Sequence, residues 1–378
     1  MPDKAFDFSL KINGVEIADY IRAHISKIEF EESLTDTAHL DIGIRDCEFF
    51  NLKKSDFDLR KPLRMPVEFA LGYFGNLEPV FSGDVVKISP SFPDKDASLL
   101  TIVCQDVSAR LKREPEPTIH DGDNFPNCLT ISRHLIKKNA LDAVIDPEPL
   151  LQNAAGDRFL NQLSHTDWEW LNQIADALHL RLFARGAIVY LVNDDYLLSH
   201  QTTKWTFIHG VDRAGLAAPN TAPLLSFKPE LSSRGQRLKC EVTAYRAVDA
   251  AGIVYQGEKP LADIYHDGKN YTDLAITSEV EEILHIRDKV VKSDKEAKDL
   301  AESYLRARAD RLVMGQGAII GNAAIRAGSK HTFNLNSLGD FGKQFSGDYW
   351  ITGVRHVVTL ADGFATSFDV RRDGLTIT

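Results

Sequence analysis

The alternation of short apolar runs with turn residues over residues 1 to about 110 constrains the fold more than any other feature. Asn13 and Gly14 separate two apolar stretches, which favours a two-residue type I′ hairpin turn. Gly83 lies inside a later run and predicts a bulge or bend. The strand-length runs with partial alternation are HISKIEFEES, AHLDIGIRD, MPVEFALGYF, PVFSGDVVKISP and ASLLTIVCQD. This pattern predicts a small antiparallel barrel or sandwich.

Residues 113–200 have a different character and predict a small α+β unit. CLTISRHLIKKNAL reads as a helix with Asn127 as its N-cap. RLFARGAIVYLV reads as a hairpin that turns at Arg185 and Gly186. Between them, Thr166 and Glu169 have the spacing of a capping box, which predicts the start of a second helix.

The stretch HTDWEW, residues 165–170, resembles a crowded active site, but its spacing favours a helix start. Asp167 suits the positive end of the helix dipole. One buried stripe is predicted at helical spacing, formed by Trp168, Leu171, Ala175 and Leu178. Trp170 lies off that stripe, and His165 precedes the cap. We therefore take Trp170 and His165 as the interface candidates.

From about residue 222 the β pattern returns, with a hairpin predicted to turn between Asp249 and Gly252. Ser293 and Glu296 form an S-x-x-E capping box at the start of a helix over about 294–312. Its apolar stripe is Ala297, Leu300, Ala301, Tyr304 and Leu305. Four more strand-like segments follow.

The fold class predicted is α+β, mostly β. Two small antiparallel β-barrel-like domains, at 1–112 and 201–378, would flank a small α+β domain at 113–200. The second barrel would carry a less regular insertion at about 258–292 and the helix at about 294–312.

Composition excludes several classes of protein. A formal net charge of −10 argues against a general nucleic-acid binder, which needs a basic surface. No apolar run approaches the length of a membrane span, and the N-terminus lacks the pattern of a signal peptide. We expect synthesis in the cytoplasm without a cleaved leader or a membrane anchor. The cysteines lack metal-site spacing and are expected to be buried free thiols: Cys47, Cys104, Cys128 and Cys240.

Motif searches predict no catalytic, cofactor-binding or metal-binding residue. The glycines at 315, 317 and 321 are spaced one residue too far apart for a dinucleotide fingerprint and follow a helix, so closely packed strands are the better interpretation. Asp176 and His179 share a helix face without further ligands. The paired acids, Asp194 with Asp195 and Asp121 with Asp123, fit loop edges, since a sequence cannot place carboxylates across a cleft.

Three blocks in order resemble the hub proteins of contractile phage tails, the late control protein D or gp27-like family, which is also the hub part of VgrG-type spike proteins. They are FSGDVVKISP through LLTIVCQDVSARLKR, LLQNAAGDRFLNQLSHTDWEWLNQIADALHLRLFARGAIVYLV, and EAKDLAESYLRARADRL with FSGDYWITGVRHVVTLADGFATSFDVRR. Thr166 and Asp167 stand where the family helix often begins with Ser-Asp. The family helix often ends in glycine, whereas here Leu178, His179 and Leu180 run on. The likeness is lowest over 200–290.

The resemblance implies a structural baseplate hub in the tail of a virion or a phage-tail-like particle. Family members form homotrimers whose two barrels per chain make a pseudo-sixfold ring. That ring joins the hexameric tail tube protein to a trimeric spike protein and contacts baseplate wedge proteins. The tape-measure protein and DNA would pass through the lumen without specific binding. The sequence ends at Thr378 without a spike module, so the spike is expected to be a separate chain.

Two alternatives use the 113–200 unit. One is a cell-wall or glycan-acting enzyme. The other is a carbohydrate-binding β protein with Trp168 and Trp170 exposed as a sugar platform.

Overall fold

A computed structural model describes thirteen segments of the chain. Cys47, Asp121, the turn from Asp249 to Gly252 and most of the predicted insertion lie outside them. The described residues are 5–45, 65–94, 96–114, 118–119, 123–153, 161–162, 164–212, 218–232, 234–246, 253–261, 283–287, 293–359 and 361–376.

The described residues form mainly strands. These are β1 Phe6–Ile12, β2 Val15–Glu16, β3 Ile25–Ser33, β4 His39–Arg45, β5 Pro66–Tyr73, β6 Asn76–Ser91, β7 Leu99–Asp106, β8 Thr118–Ile119, β9 Asp142–Asp146, β10 Asn161–Gln162, β11 Arg181–Arg185, β12 Ile188–Val192, β13 Thr206–His209, β14 Thr221–Leu231, β15 Lys239–Arg246, β16 Ile253–Pro260, β17 Ile283–Ile286, β18 Val313–Ile320, β19 Lys330–Asn334, β20 Gly347–Thr359 and β21 Gly363–Arg372. The helices are α1 Asp19–Arg22, α2 Cys128–Lys138, α3 Glu148–Asn153, α4 Asp167–Leu178, α5 Asp194–Ser199, α6 Asp294–Ala309 and α7 Gly339–Gln344, with 3₁₀ turns at Val107–Arg110 and Asn336–Leu338.

The chain divides into two compact units, and neither is continuous in sequence. The first contains residues 1–201, 320–328 and 353–367, and the second contains 202–319, 329–352 and 368–378. The sequence predicts one domain over 201–378, whereas residues 320–328 and 353–367 of that range belong to the first unit. The three-domain boundaries stay a prediction.

The N-terminal sheet of the first unit has the strand order β3-β4-β7-β6-β5-β1-β2, and residues 353–359 of β20 pair with β3. Asn13 and Gly14 have φ values of 55° and 75° between the paired residues Ile12 and Val15, so the two-residue turn with positive φ at both positions is confirmed. Gly83 itself stays in register with Val67 and Asp106. Glycine is required there for a different reason, since a Cβ would lie 2.0 Å from the Gln105 carbonyl oxygen. The register shifts predicted there fall instead on either side of it, at positions 80 and 86.

The α+β part of the first unit is built on β9, β11 and β12 with helices α2 to α5. The Asn127 side chain caps α2 by accepting the Thr130 N–H at 3.0 Å, as predicted. The β11–β12 hairpin is also present, but Arg185 pairs with Ile188, so Gly186 and Ala187 form the turn. Gly186 supplies the positive φ of 60°.

The second unit contains a closed six-stranded barrel. Its strands follow the ring order β13-β14-β18-β21-β20-β19, and β19 pairs with both β13 and β20. The prediction of an antiparallel barrel-like domain is wrong at one strand, because β13 runs parallel to both of its neighbours. Gly317 is one of the three glycines that the sequence assigns to closely packed strands. It fits that interpretation, because a Cβ at Gly317 would lie 2.5 Å from the Phe368 ring.

A three-stranded sheet, β16-β15-β17, completes the second unit with helix α6 packed on it. The Ser293 side chain caps α6 by accepting the Glu296 N–H at 3.1 Å. From the predicted stripe, Ala297, Ala301 and Leu305 are fully buried. The helix itself ends at Ala309, earlier than predicted.

Three of the four cysteines lie in described residues, and all three are buried free thiols as predicted: Cys104, Cys128 and Cys240. Within the described part of the chain, none of the helices has the length and apolarity required to span a bilayer.

Candidate functional site

The capping box in HTDWEW is present with both of its hydrogen bonds. The Thr166 hydroxyl accepts the Glu169 N–H at 3.2 Å, and the Glu169 carboxylate accepts the Thr166 N–H at 2.8 Å. The Thr166 N–H and the Thr166 hydroxyl both donate to the Glu169 carboxylate and lower its pKa, so the carboxylate stays ionised. An ionised, already bonded carboxylate is poorly suited to act as a general acid.

Asp167 ties the start of α4 to its surroundings. Its carboxylate accepts hydrogen bonds from the Asn139 and Gln162 side-chain amides, each at 2.8 Å. Asn139 follows α2, and Gln162 belongs to β10. Asp167 thus anchors the start of α4 to the end of α2 and to β10.

Both tryptophans of the stretch are buried. Trp168 is 4% exposed and Trp170 is 5% exposed, within one core cluster of the α+β part. Neither presents the open face that a sugar platform needs. His165 stacks on Trp170 at 5.7 Å between ring centroids, and its side chain remains 46% exposed. If this pair forms an interface, as predicted, His165 is the member that a partner would touch.

The other candidate metal-binding or catalytic residues from the sequence do not form a site, because they lie apart from one another or are already bonded to a neighbouring side chain. His179 ends α4 in the left-handed conformation, and it is exposed. Asp194 forms a bidentate pair with Arg181 at 2.9 and 3.1 Å. Throughout the described segments, no group of three or more His, Cys, Asp or Glu side chains could hold a metal ion.

Two carboxylates with opposite pKa shifts lie beside a shallow depression of about 470 Å³ on β3, β4 and β7. Although burial raises the pKa of Glu29, hydrogen bonds from Lys27 and Arg355 outweigh that effect and lower it. Burial and the nearby Glu29 charge raise the pKa of Asp41. Glu29 and Asp41 are direct cross-strand partners, so they project side by side from one face. A glycosidase needs its carboxylates on opposite sides of the scissile bond.

A buried charged group of the first unit, Glu32, was not found by the motif search. Glu32 on β3 accepts hydrogen bonds from Arg326 at 2.6 and 2.8 Å and from the Ala327 N–H at 2.7 Å. Arg185 lies 3.5 Å from the same carboxylate and also donates to the Ala327 carbonyl. Burial favours the neutral acid, but the two arginines and these hydrogen bonds outweigh it and lower the pKa of Glu32 to about 2. Glu32 follows Ile28 and Phe30 at the inward positions of β3, which is the sequence signal for a buried acid.

This network and its neighbours hold a largely buried loop, residues 321–328. Tyr73 donates its hydroxyl to the Gly321 carbonyl at 2.9 Å, and the Thr366 hydroxyl accepts the Asn322 N–H at 2.9 Å. His356 bridges the Thr366 hydroxyl at 2.9 Å and the Ile325 carbonyl at 3.2 Å. Burial and the nearby Arg326 charge lower the pKa of His356 to about 4, so the ring is neutral at pH 7. Tyr73, His356 and Thr366 thus bind the backbone of this loop.

Solved structures with the same fold are phage tail and secretion proteins. The 43 kDa tail protein of prophage MuSo2 from Shewanella oneidensis has a TM-score of 0.65 and 14% identity, with 98% of this chain and 100% of that chain covered. A tail protein from Neisseria meningitidis MC58 has a TM-score of 0.65 and 10% identity, with 98% of each chain covered.

An Escherichia coli protein matches with a TM-score of 0.56 and 11% identity, over 96% of this chain and 76% of that chain. It is described as a component of the type VI secretion system with structural similarity to the T4 bacteriophage tail proteins gp27 and gp5. At these identities the likeness establishes the fold alone.

No curated protein sequence matches the chain. A family model does: the one described as Alg8 N-terminal domain matches residues 2–359. That description names a domain and no activity. Because the match spans well over half of the chain, the protein belongs to the Alg8 N-terminal domain family.

Proposed function

We propose that the protein is a structural baseplate hub of a contractile tail or of a tail-like injection particle. The observation that carries the proposal is the likeness to two tail proteins over 98% of this chain and 98–100% of theirs, since such coverage extends to both units. The resemblance of three sequence blocks to the gp27-like family points the same way.

In this role three chains form a ring of pseudo-sixfold symmetry. Two β domains in each of three chains supply six similar positions, as a hexameric tube requires, while threefold symmetry suits a trimeric spike. The tube protein, the spike protein and the wedge proteins are the proposed partners, with the tape-measure protein and DNA passing through the lumen. The protein is located at the tail baseplate of a particle that is assembled in the bacterial cytoplasm.

The proposal assigns no catalysis to the chain. Glu169 caps a helix, Glu29 and Asp41 lie side by side, and Glu32 is enclosed by two arginines. These arrangements support a role in which rigidity and assembly matter more than proton transfer.

Mass in solution and particle shape test the proposal together. We expect light scattering after size-exclusion chromatography to yield three times the 42.2 kDa chain mass. Negative-stain images should show a ring with threefold or pseudo-sixfold symmetry. A protein that stays monomeric at every concentration, with or without its tube and spike proteins, would contradict the hub.

A peptidoglycan suspension provides the test for an enzyme. The hub predicts no clearing by the parent protein. Clearing by the parent that is lost in Glu169→Ala would overturn the hub proposal in favour of a cell-wall enzyme. The control is Glu148→Ala, which changes an exposed acid on neighbouring α3 and should then still clear the suspension. A glycan titration that shifts tryptophan fluorescence would instead favour carbohydrate binding.

A further inference from the structure

Four arginines meet at the C-terminal end of helix α6. Arg308 is in the last turn of α6, and its guanidinium donates to the Gly235 carbonyl at 3.4 Å. The Gln236 side-chain amide donates to the Arg308 carbonyl at 2.7 Å, so the loop that precedes β15 is fixed to the helix end. This group, the arginine cluster, has two members in the loop and two at the helix end: Arg234, Arg237, Arg308 and Arg311.

Neighbouring acids do not balance the charge of the arginine cluster. The acid at the helix end, Asp310, is paired with Arg371 at 2.6 Å. A cation in the last turn complements the helix dipole, but this effect does not extend to the arginines of the loop. The buried Nε of Arg308 has no hydrogen-bond acceptor in the described part of the chain. Among the described residues, three members of the cluster have no acidic partner: Arg234, Arg308 and Arg311.

The chain on either side of residues 262–282, which lie outside the described segments, is fixed beside the cluster. The Leu261 N–H bonds the Leu238 carbonyl at 2.8 Å, and Ile283 is the register partner of Lys239. The two contact points are consecutive in sequence and directly follow the loop of the cluster. Both attachment points of residues 262–282 therefore lie next to the arginines.

The sequence between those attachment points is acidic. Six carboxylates against one lysine leave residues 262–282 with a formal charge of −5. A segment tethered at both ends is held near the arginines at an effective concentration on the order of millimolar, which favours it over an acidic partner free in solution. Its acids are Asp263, Asp267, Asp273, Glu279, Glu281 and Glu282.

We propose that the arginine cluster is the docking surface for residues 262–282 of the same chain, through ion pairs between its guanidinium groups and the carboxylates of that segment. Arginine suits this role, because its planar guanidinium can donate two parallel hydrogen bonds to one carboxylate. Exposed ion pairs are screened by salt, so docking should be strongest at low ionic strength. The inference rests on the geometry and charge of the second unit and stands whether or not the protein is a hub.

Limited digestion with trypsin tests the docking, because Lys269 is the only lysine or arginine within residues 262–282. Mass spectrometry measures the initial rate of cleavage after Lys269, which follows the undocked fraction when docking is fast. In Arg234→Gln with Arg311→Gln, cleavage at low salt should be about fivefold faster than in the parent, because two exposed ion pairs are lost. High salt should accelerate cleavage of the parent toward the rate of the variant.

The acidic side of the contact is tested by Glu279→Gln with Glu281→Gln and Glu282→Gln. These changes should also accelerate cleavage after Lys269. Combining them with the two arginine changes should add little to either set alone, because both sets remove the same ion pairs.

Two controls isolate the cause. Lys228→Gln with Lys298→Gln removes the same charge from exposed positions of the second unit outside the cluster, and should be cleaved at the parental rate. A free peptide of residues 262–282, digested in parallel, corrects for the effect of salt on trypsin itself.

Three results would overturn the docking. The first is a parental cleavage rate after Lys269 in the arginine variant. The second is acceleration by the arginine changes without acceleration by the glutamate changes, which would assign the cluster to a different acidic partner. The third is full additivity of the two sets, which would show that they act independently. Binding of a labelled DNA duplex that is lost in the arginine variant, with unchanged cleavage, would identify nucleic acid as the occupant instead.

Discussion

The first unit buries an ion network beside its apolar core, whereas the barrel of the second unit packs aromatic rings against one another. In the first, a buried loop is held by an ionised Glu32, two arginines and a neutral His356. In the second, the barrel interior is filled by rings: Phe333 lies 5.1 Å from Phe207 and 5.0 Å from Tyr349 between centroids. Apolar packing tolerates changes of pH, whereas an ion network depends on the charge of every member. The difference therefore predicts that the units respond to different perturbations.

Tryptophan positions make that comparison measurable. Trp168 and Trp170 belong to the first unit, and Trp205 and Trp350 belong to the second, which accounts for all four tryptophans of the chain. Replacing either pair with phenylalanine leaves fluorescence from one unit only.

The largest expected effect is in the aromatic interior. Phe333→Ala should lower the free energy of unfolding of the second unit by about 3–5 kcal/mol, because it removes a fully buried ring and leaves a cavity. Urea unfolding followed by Trp205 and Trp350 measures it. An equal loss reported by Trp168 and Trp170 would mean that the two units unfold as one.

The ion network should make the first unit the more acid-sensitive one. The pKa of Glu32 is about 2 when folded, below its ordinary value of 4.5. Between these pH values Glu32 is protonated in the unfolded chain but ionised in the folded one. The stabilisation that Glu32 contributes is therefore fully present above about pH 4.5 and is lost as the pH falls to about 2. The loss is about 3 kcal/mol.

Unfolding of the parent and of Glu32→Gln, followed at several pH values by Trp168 and Trp170, measures this loss. The variant should start less stable at pH 7 and vary less below pH 4.5. His331→Gln is the matched control, because that histidine is a buried group of the second unit. Parallel pH profiles for the parent and Glu32→Gln would contradict the assigned pKa.

Close approach of glycines to rings provides an intermediate effect. An added methyl would lie 2.1 Å from the Phe364 ring at Gly321 in the first unit, and 2.5 Å from the Phe368 ring at Gly317 in the second. Each Gly→Ala change should cost about 1–3 kcal/mol through overpacking, with Gly321→Ala the more costly. Gly43→Ala, which comes no nearer than 3.3 Å to Ser26, serves as the control. The reverse order in urea unfolding would show that the Phe364 ring moves aside.

The smallest effect concerns the helix start in the first unit. Thr166→Ala should cost about 1 kcal/mol, since it leaves the Glu169 N–H without its hydroxyl acceptor. Thr166→Ser keeps the acceptor and should match the parent. The fluorescence of Trp168 and Trp170 during unfolding measures the stability of both variants. Equal stability of the parent and the two variants would show that the capping box does not stabilise the first unit.

Local chemistry explains what was predictable from the sequence. The turn at Asn13 and Gly14 and the cap at Thr166 depend on atoms within three residues, so the spacing alone predicts them. The burial of Trp170 could not be predicted from the spacing within the helix. Helix α4 is buried on a face wider than one stripe, and the width of that face is determined by residues outside the helix.

The network around Glu32 shows the limit of sequence reasoning. Its inward position on β3 was visible in the alternation, but its partner Arg326 is 294 residues away. Likewise, the parallel pairing of β13 with β14 and β19 has no local signal, because parallel neighbours are not joined by a short turn.

The distance between Glu32 and Arg326 also sets an order of events during synthesis. At about 5–20 residues per second, a ribosome needs roughly 15–60 s to pass from one to the other. Throughout that interval the nascent first unit lacks Arg326, one of the two arginines that neutralise its buried acid, and residues 353–367 are added later still. Strand β3 can pair with β4 early, but its other edge stays open until residues 353–359 of β20 have been made.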